Sequence, residues 1–166
     1  MPKNRVAKLV EVGKMEVFEE DIRKLKADEL LVKIKATGIC GSDLHFFRHG
    51  GLGSFKEKLP MHMGHEPSGI VVDSNNSKLF KTGDRVAIEP GCSCVQCYWC
   101  REGKENLCTG GTFMGAGVQG AFADFVIVKN HQLVKMPDSM TFECGSLLEP
   151  VGVALHSMNL MNINLL

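Results

Sequence analysis

Residues 92–108 read CSCVQCYWCREGKENLC and place four cysteines, Cys94, Cys97, Cys100 and Cys108, within fifteen residues. Four soft thiolates at this spacing can surround a zinc ion tetrahedrally and leave no coordination position open. A bacterial ferredoxin sequence would have its fourth cysteine after three residues, where Lys104 stands, so an iron–sulfur cluster is disfavoured. The stretch therefore predicts a lobe folded around a structural zinc ion, which we place at about residues 91–110.

Other interpretations of the same cysteines stay open. Cys92 is an additional thiol that can replace Cys94 as a ligand, and the whole set can instead be free surface thiols. A thioredoxin-like redox site at Cys97 and Cys100 would require a strand-to-helix context, which the crowding by Cys94 and Cys108 does not provide. Metal binding is the interpretation that we carry forward.

Composition limits the remaining possibilities. The 166 residues suffice for one compact domain with a core, and the 19 basic and 19 acidic side chains cancel. No global field would therefore draw the protein to nucleic acid or to an anionic membrane, and we expect neither as a partner. The first residues, MPKNRVAKLVEVGK, break every apolar run with Lys or Glu, so we expect a cytoplasmic protein with reduced thiols.

Short apolar stretches punctuated by glycine predict a mainly β fold with short helices, as in small barrels. We predict strands at residues 6–12, 14–18, 29–36, 69–72, 85–88, 121–128 and 132–136. A short helical segment at 43–49 and a C-terminal helix at 142–158 complete the prediction. Thr141 is expected to cap that last helix, and Pro150 to interrupt it.

The stretch GAGVQG at residues 115–120 fits the glycine fingerprint of dinucleotide-binding folds. Such a fingerprint needs a buried strand before it and a helix after it, because the N-terminus of the helix holds the phosphate. CTGGT precedes these glycines and a predicted strand follows them. We therefore predict a glycine loop here, and no cofactor-binding residues in this chain.

A second set of candidate ligands is dispersed along the chain. GICGSDLH at 38–45, MGHEPSG at 63–69 and LLEPVGVALH at 147–156 each contain cysteine, histidine or glutamate. Taken singly, each fragment is weak, because a lone cysteine after a strand is usually a small core residue.

Together with TGDRVAIEPG at 82–91, the four-cysteine stretch and GAFADFVIV at 120–128, these fragments follow the order found in zinc-dependent medium-chain alcohol dehydrogenases. The chain most resembles the polyol branch of that family, the sorbitol and xylitol dehydrogenases, with idonate dehydrogenases close behind. The resemblance covers about residues 5–156. It implies that residues 1–166 form a GroES-like catalytic domain, a partly open β-barrel with a zinc lobe.

The resemblance also implies two zinc ions per chain, one structural and one catalytic. Cys40 and His65 would hold the catalytic zinc, and Glu66 and Glu149 are both candidates for the remaining protein ligand. The substrate would be a small polyol or another secondary alcohol. NAD or NADP would bind to a Rossmann domain that is missing here, so we expect this chain alone to be inactive, and the full-length enzyme to be a homo-oligomer.

Proton transfer would fall to residues beside the ligands. By resemblance, Ser42 would accept the proton of the alcohol, His45 would pass it to solvent, and Glu66 would belong to the same catalytic set. Asp43 would orient the ring of His65. The alternative for Ser42 is a helix cap that opens the segment at 43–49.

The sequence leaves two other functions open. A zinc-stabilised module that binds or assembles without catalysis fits the same fold, because fold alone does not determine function. An L-idonate-type dehydrogenase fits the same family. We also expect an uncovered apolar end to favour self-association, through Leu160, Met161, Ile163, Leu165 and Leu166.

Overall fold

The computed structural model describes residues 3–163, so Leu165 and Leu166 lie outside the described residues. Within these residues, ten strands and four α-helices follow one another. The strands are β1 Asn4–Glu11, β2 Lys14–Glu20, β3 Glu29–Thr37, β4 Met61–His62, β5 Pro67–Asp73, β6 Arg85–Ile88, β7 Gly91–Cys92, β8 Thr112–Phe113, β9 Phe125–Lys129 and β10 Leu133–Lys135. The helices are α1 Gly41–His49, α2 Tyr98–Arg101, α3 Phe142–Ser146 and α4 Leu148–Leu160.

The main sheet has five antiparallel strands in the order β10-β6-β5-β3-β9. β-branched residues face one another across its central strands, where Val32 of β3 lies opposite Val71 of β5 and Val126 of β9. All three side chains are buried. Because such side chains pack well on a pleated surface, this ladder forms the centre of the hydrophobic core.

A smaller sheet in the order β2-β1-β4 closes against the main one. The backbone N–H of Ala7 donates to the carbonyl oxygen of Phe122 at 2.8 Å, and the N–H of Asp124 donates to the carbonyl oxygen of Arg5 at 3.0 Å. These bonds join β1 to the segment that leads into β9. The prediction of a mainly β, partly open barrel is therefore confirmed.

The glycine-rich stretch at 115–120 is a loop that leads into β9, as predicted. Gly115 and Gly117 have φ angles of 79° and 70°, a region that glycine adopts without steric strain. A Cβ atom at Gly120 would lie 2.1 Å from the carbonyl oxygen of Met63, so only glycine lets the two backbones approach this closely. Gly120 serves this close approach, and the next α-helix, α3, begins only at Phe142.

Two predicted elements differ from the structure by more than two residues at a boundary. The strand expected at 121–128 begins at Phe125, because the residues before it bond to β1 and to Met63 outside the main ladder. The helix expected at 142–158 is broken at Leu147, between α3 and α4. Pro150 lies in the first turn of α4, where its missing N–H removes no helical bond. Thr141 caps α3 as predicted, accepting the N–H of Cys144 at 3.2 Å.

Helix α4 carries an apolar surface that the described residues leave uncovered. Val153 and Leu160 are 58% and 72% exposed, and no residue of the helix is buried. Across residues 3–163, none of the helices combines the length and the apolar character that crossing a membrane would require.

Candidate functional site

The four cysteines Cys94, Cys97, Cys100 and Cys108 converge in the lobe, with their sulfur atoms all within 4.8 Å of one another. The recorded Sγ···Sγ separations are 3.4 Å for Cys97 and Cys100 and 3.9 Å for both Cys94 with Cys100 and Cys97 with Cys108. A tetrahedral zinc ion with Zn–S bonds of about 2.3 Å would space its sulfurs about 3.8 Å apart. A disulfide would need about 2.05 Å. The sulfur positions therefore fit a closed zinc site.

The local backbone explains why the thiols converge. Val95 has a φ angle of 53°, which turns the chain so that the N–H of Cys97 points at the sulfur of Cys94, 3.4 Å away. The N–H of Cys94 in turn points at the sulfur of Cys108, 3.3 Å away. Backbone N–H groups of Gln96 and Cys97 lower the pKa of the Cys94 thiol to about 6, which favours the thiolate that zinc requires.

Cys92 stands outside this group among the described residues. Its sulfur lies 3.9 Å from Nε2 of His131, at the start of the lobe. The structure therefore favours Cys94, and not Cys92, as the fourth ligand.

A second group brings together Cys40, His65 and Glu66, whose ligand atoms also lie within 4.8 Å of one another. That span is about twice a metal–ligand bond of 2.0–2.3 Å, so one ion can reach all three. The pairing of β3 with β5 ends with Thr37 opposite Pro67. The chain leaving β3 and the chain entering β5 therefore run side by side, and the N–H of Gly38 donates to the carbonyl oxygen of Glu66 at 2.9 Å.

Asp43 holds the two ligand-bearing segments together. One of its carboxylate oxygens, Oδ2, accepts the N–H of Cys40 at 3.0 Å, and the other, Oδ1, accepts the N–H of Gly64 at 3.1 Å. Oδ1 also lies 3.9 Å from Nδ1 of His65, which is longer than a hydrogen bond. Asp43 is 5% exposed, so its negative charge faces the imidazole from inside the protein.

His65 and Glu66 are buried, at 8% and 7% exposure. The fully enclosed side-chain atoms without a hydrogen-bond partner in residues 3–163 are Nδ1 of His62 and Nε of Arg85, so the polar atoms of His65 and Glu66 are not among them. Gly38 leaves room for the Glu66 carboxylate, because a Cβ atom there would lie 2.0 Å from Oε2. A largely buried imidazole and carboxylate whose ligand atoms lie within 4.8 Å of the Cys40 thiol fit a metal ion.

Glu149 is the second residue of α4 and is not part of that three-residue group in the described chain. Burial raises the pKa of its carboxyl group. The charge of His65 lowers that pKa, whereas Glu66 and Glu89 raise it. Glu149 thus lies close enough to both Glu66 and His65 to interact with them electrostatically. It stays a second carboxylate candidate for the same ion.

Ser42 and His45 lie on α1, three residues apart, so they are neighbours on the helix surface. Cys40, and not Ser42, occupies the N-cap position, so the alternative in which Ser42 caps the helix is wrong. Ser42 is half-buried and His45 is exposed. Ser42 is therefore the more enclosed member of the pair.

Phe113 lies beside this site, although nothing in the sequence indicated that it would. Its ring lies 5.3 Å from the ring of His65, centroid to centroid, and is 41% exposed. Phe113 also lines a cleft of about 690 Å³ between the lobe and the barrel, together with Glu89 and Glu105. A single phenylalanine in a glycine-rich stretch carries no sequence signal for such a contact.

The sequence profile of the Alcohol dehydrogenase GroES-like domain matches residues 26–138 of this chain. The chain is 39% identical over 158 residues to "Probable D-xylulose reductase A" of Arthroderma otae, which covers 93% of this chain and 44% of that protein. It is 40% identical over 132 residues to "Sorbitol dehydrogenase" of Bacillus subtilis, which covers 78% of this chain and 37% of that protein. The chain thus spans less than half the length of these relatives.

Among solved structures, a putative zinc-binding dehydrogenase from Sinorhizobium meliloti, bound to NADP, superposes with a TM-score of 0.83 at 32% identity. The match covers 96% of this chain and 46% of that one. The two folds are therefore the same over nearly all of the shorter chain.

Proposed function

The chain belongs to the family of alcohol dehydrogenase GroES-like domains, and from this premise we propose that it is the metal-binding catalytic domain of a dehydrogenase. The reaction would oxidise a polyol or another secondary alcohol to a ketose or ketone, with NAD or NADP as hydride acceptor. The observation that carries the proposal is the convergence of Cys40, His65 and Glu66. The names of the relatives, a xylulose reductase and a sorbitol dehydrogenase, support the polyol class.

The three side chains would hold a catalytic zinc ion, with Glu149 as the alternative carboxylate. Thiolate, imidazole and carboxylate are the ligand types that zinc takes in catalytic sites, where three protein ligands leave one position open. A zinc ion held there would act as a Lewis acid on an alcohol oxygen, easing loss of the hydroxyl proton near neutral pH. The lobe cysteines would hold a second ion, whose site has no open position.

Proton removal is the part of the chemistry that residues of α1 would perform. The hydroxyl group of Ser42 would accept the proton on the interior side, and the imidazole of His45 would pass it to solvent. Histidine suits this role because its unperturbed pKa is about 6.5, so it exchanges protons near neutrality. Such proton transfer contributes about 10²–10⁴ to a rate.

Asp43 would act by holding the ligand-bearing segments in place. Its two hydrogen bonds, to the N–H groups of Cys40 and Gly64, hold the segment of the thiol ligand against the segment of the imidazole ligand. Its charge beside His65 would also strengthen the basicity of that ring toward a cation. Phe113 would shield one side of the His65 ring from water.

Cobalt substitution tests the proposal, because Co²⁺ reports changes in its ligands through its visible absorption. We expect sorbitol or xylitol to shift the cobalt bands of the metal-exchanged chain in a saturable way, since the alcohol oxygen would take the open position. Cobalt in the lobe should not respond, because four thiolates close that site. A parallel titration with L-idonate tests the alternative that the chain belongs to an idonate-type dehydrogenase.

The matched variants are Cys40→Ser, which removes a ligand of the open site, and Cys92→Ser, which removes a thiol outside both groups. The shift should vanish in the first and persist in the second. Bands that stay unchanged at saturating polyol would instead support a zinc-stabilised module without catalysis.

A further inference from the structure

Helix α1 presents two histidines to solvent that the proposed zinc sites do not use as ligands. His45 and His49 are four residues apart, both are exposed, and their ring centroids lie 5.7 Å apart with the ring planes tilted by 46°. Residues at this spacing project from the same face of a helix, one turn apart. The two imidazoles can therefore approach a single ion together.

We propose that His45 and His49 form a separate, exchangeable binding site for a divalent transition-metal ion such as Ni²⁺, Cu²⁺ or Zn²⁺. Imidazole nitrogen is a preferred ligand of these ions, with bonds of about 2.0–2.1 Å in the case of zinc. Two such bonds from one ion place the nitrogens about 3.0–3.4 Å apart. Rotation of the two exposed rings about their side-chain torsions would have to bring their nitrogens to this separation.

The pair lies on a different face of α1 from the residues that serve the interior. Asp43 and Phe46 are the buried residues of this helix, and Asp43 is the one that contacts the Cys40 and Gly64 backbone. An ion on the histidine pair would therefore leave those contacts in place.

Charges near the C-terminal end of α1 both favour and oppose the binding of a cation. His49 stands in the last turn, where the negative pole of the helix favours a cation. Arg48 stands in the same turn, and its positive charge opposes one. Within residues 3–163, no third cysteine, histidine or carboxylate joins the pair as part of a larger ligand group. Water would complete the coordination, which makes the site an exchangeable one rather than a structural one.

Occupancy of this site would act on the proton path. This effect rests on the proposed function, in which His45 is the group that would pass the proton to solvent. An imidazole nitrogen that donates its lone pair to a metal ion cannot at the same moment accept a proton. Free transition-metal ions would therefore slow the reaction by competing with the proton, without displacing the zinc ions.

Calorimetric titration of the zinc-saturated chain with Ni²⁺ tests the site. We expect one additional Ni²⁺ per chain in the wild type. His49→Gln and His45→Gln should each weaken this binding at least ten-fold, because one imidazole provides no chelate. His156→Gln is the matched control, since His156 is an exposed helical histidine on α4, and it should bind Ni²⁺ as the wild type does.

Two results would overturn the site: no additional Ni²⁺ bound by the wild type, or binding that His49→Gln leaves unchanged, which would place the ion elsewhere, such as at Cys92 and His131. The Cys40→Ser chain separates this inference from the proposed function. It should bind the additional Ni²⁺ normally, whatever becomes of the zinc ion beside His65.

Discussion

Replacing Cys97 by serine should release the lobe zinc and unfold the lobe. The Cys97 sulfur lies within 3.9 Å of two other cysteine sulfurs, so a hydroxyl group in its place removes one of four ligands from a closed site. Structural zinc contributes about 10–16 kcal/mol of binding free energy in small zinc-folded peptides, and that energy is folding energy. We therefore expect the free energy of unfolding to fall by several kcal/mol, roughly the cost of losing a structural metal.

Fluorescence can follow this change at the lobe itself, because the chain contains a single tryptophan and a single tyrosine, and both lie there. Trp99 packs edge-on against Tyr98 at 5.1 Å, and Lys104 lies over its ring. Loss of zinc should shift the Trp99 emission to longer wavelength, in Cys97→Ser and equally in wild type treated with a chelator.

Cys92→Ser is the matched control, because Cys92 lies in the same stretch but outside the four-thiol group. It should keep the zinc and the emission of the wild type. Zinc retained by Cys97→Ser, with unchanged Trp99 emission, would mean that the four thiols do not act together on one ion.

Replacing Asp43 by asparagine should be almost as damaging as replacing it by alanine. Each carboxylate oxygen of Asp43 faces a backbone N–H donor, one from Cys40 and one from Gly64. An asparagine amide has one oxygen and one NH₂ group, so in either orientation its NH₂ group would face an N–H donor. Leaving buried donors unsatisfied costs about 1–3 kcal/mol each, so we expect a loss of about 2–4 kcal/mol of unfolding free energy.

The same substitution should weaken metal binding at the neighbouring group. Asp43 carries the negative charge that faces His65, and supporting groups of this kind change metal affinity by about 10–100-fold. Zinc affinity and thermal unfolding of Asp43→Asn, with Trp99 emission to verify an intact lobe, measure the two effects together.

Asp124→Asn is the control for Asp43→Asn. Asp124 also accepts two hydrogen bonds, but from the guanidinium group of Arg5 at the surface. Exposed ion pairs contribute about 0–1 kcal/mol, so this variant should behave nearly as the wild type does. An Asp43→Asn chain with wild-type stability and wild-type zinc affinity would show that Asp43 does not position the ligand segments.

The sequence predicted the lobe well because its ligands are local. Four cysteines within one short stretch can converge through local turns alone, and the structure brings together the same four that the spacing indicated. Strand β6 begins and ends where the apolar stretch does, at Arg85 and Ile88. Asn75 and Asn76 have positive φ angles, a conformation that asparagine tolerates in turns.

The second ligand group could not be derived from spacing. Cys40 and His65 meet because β3 and β5 pair in one particular register, which places Thr37 opposite Pro67. The sequence contains no local mark of that register, so these residues could be named only through resemblance to a known family. Their roles in catalysis stay predictions.

Tertiary contacts account for what the sequence did not indicate. Phe113 reaches His65 across a glycine-rich loop, and Gly38 leaves the space that the Glu66 carboxylate occupies. The hydrogen bonds of Asp43 go to the Cys40 and Gly64 backbone, although the residue was expected to act directly on the His65 ring. Each of these contacts depends on segments that are distant in the chain.

Counting zinc atoms per chain tests the central claim, that Cys40, His65 and a carboxylate share one ion separate from that of the lobe. Wild-type protein freed of loosely bound metal should contain two zinc atoms per chain, and Cys40→Ser should contain one, with the Trp99 emission of an intact lobe. One zinc atom in the wild type, unchanged in Cys40→Ser, would contradict the account.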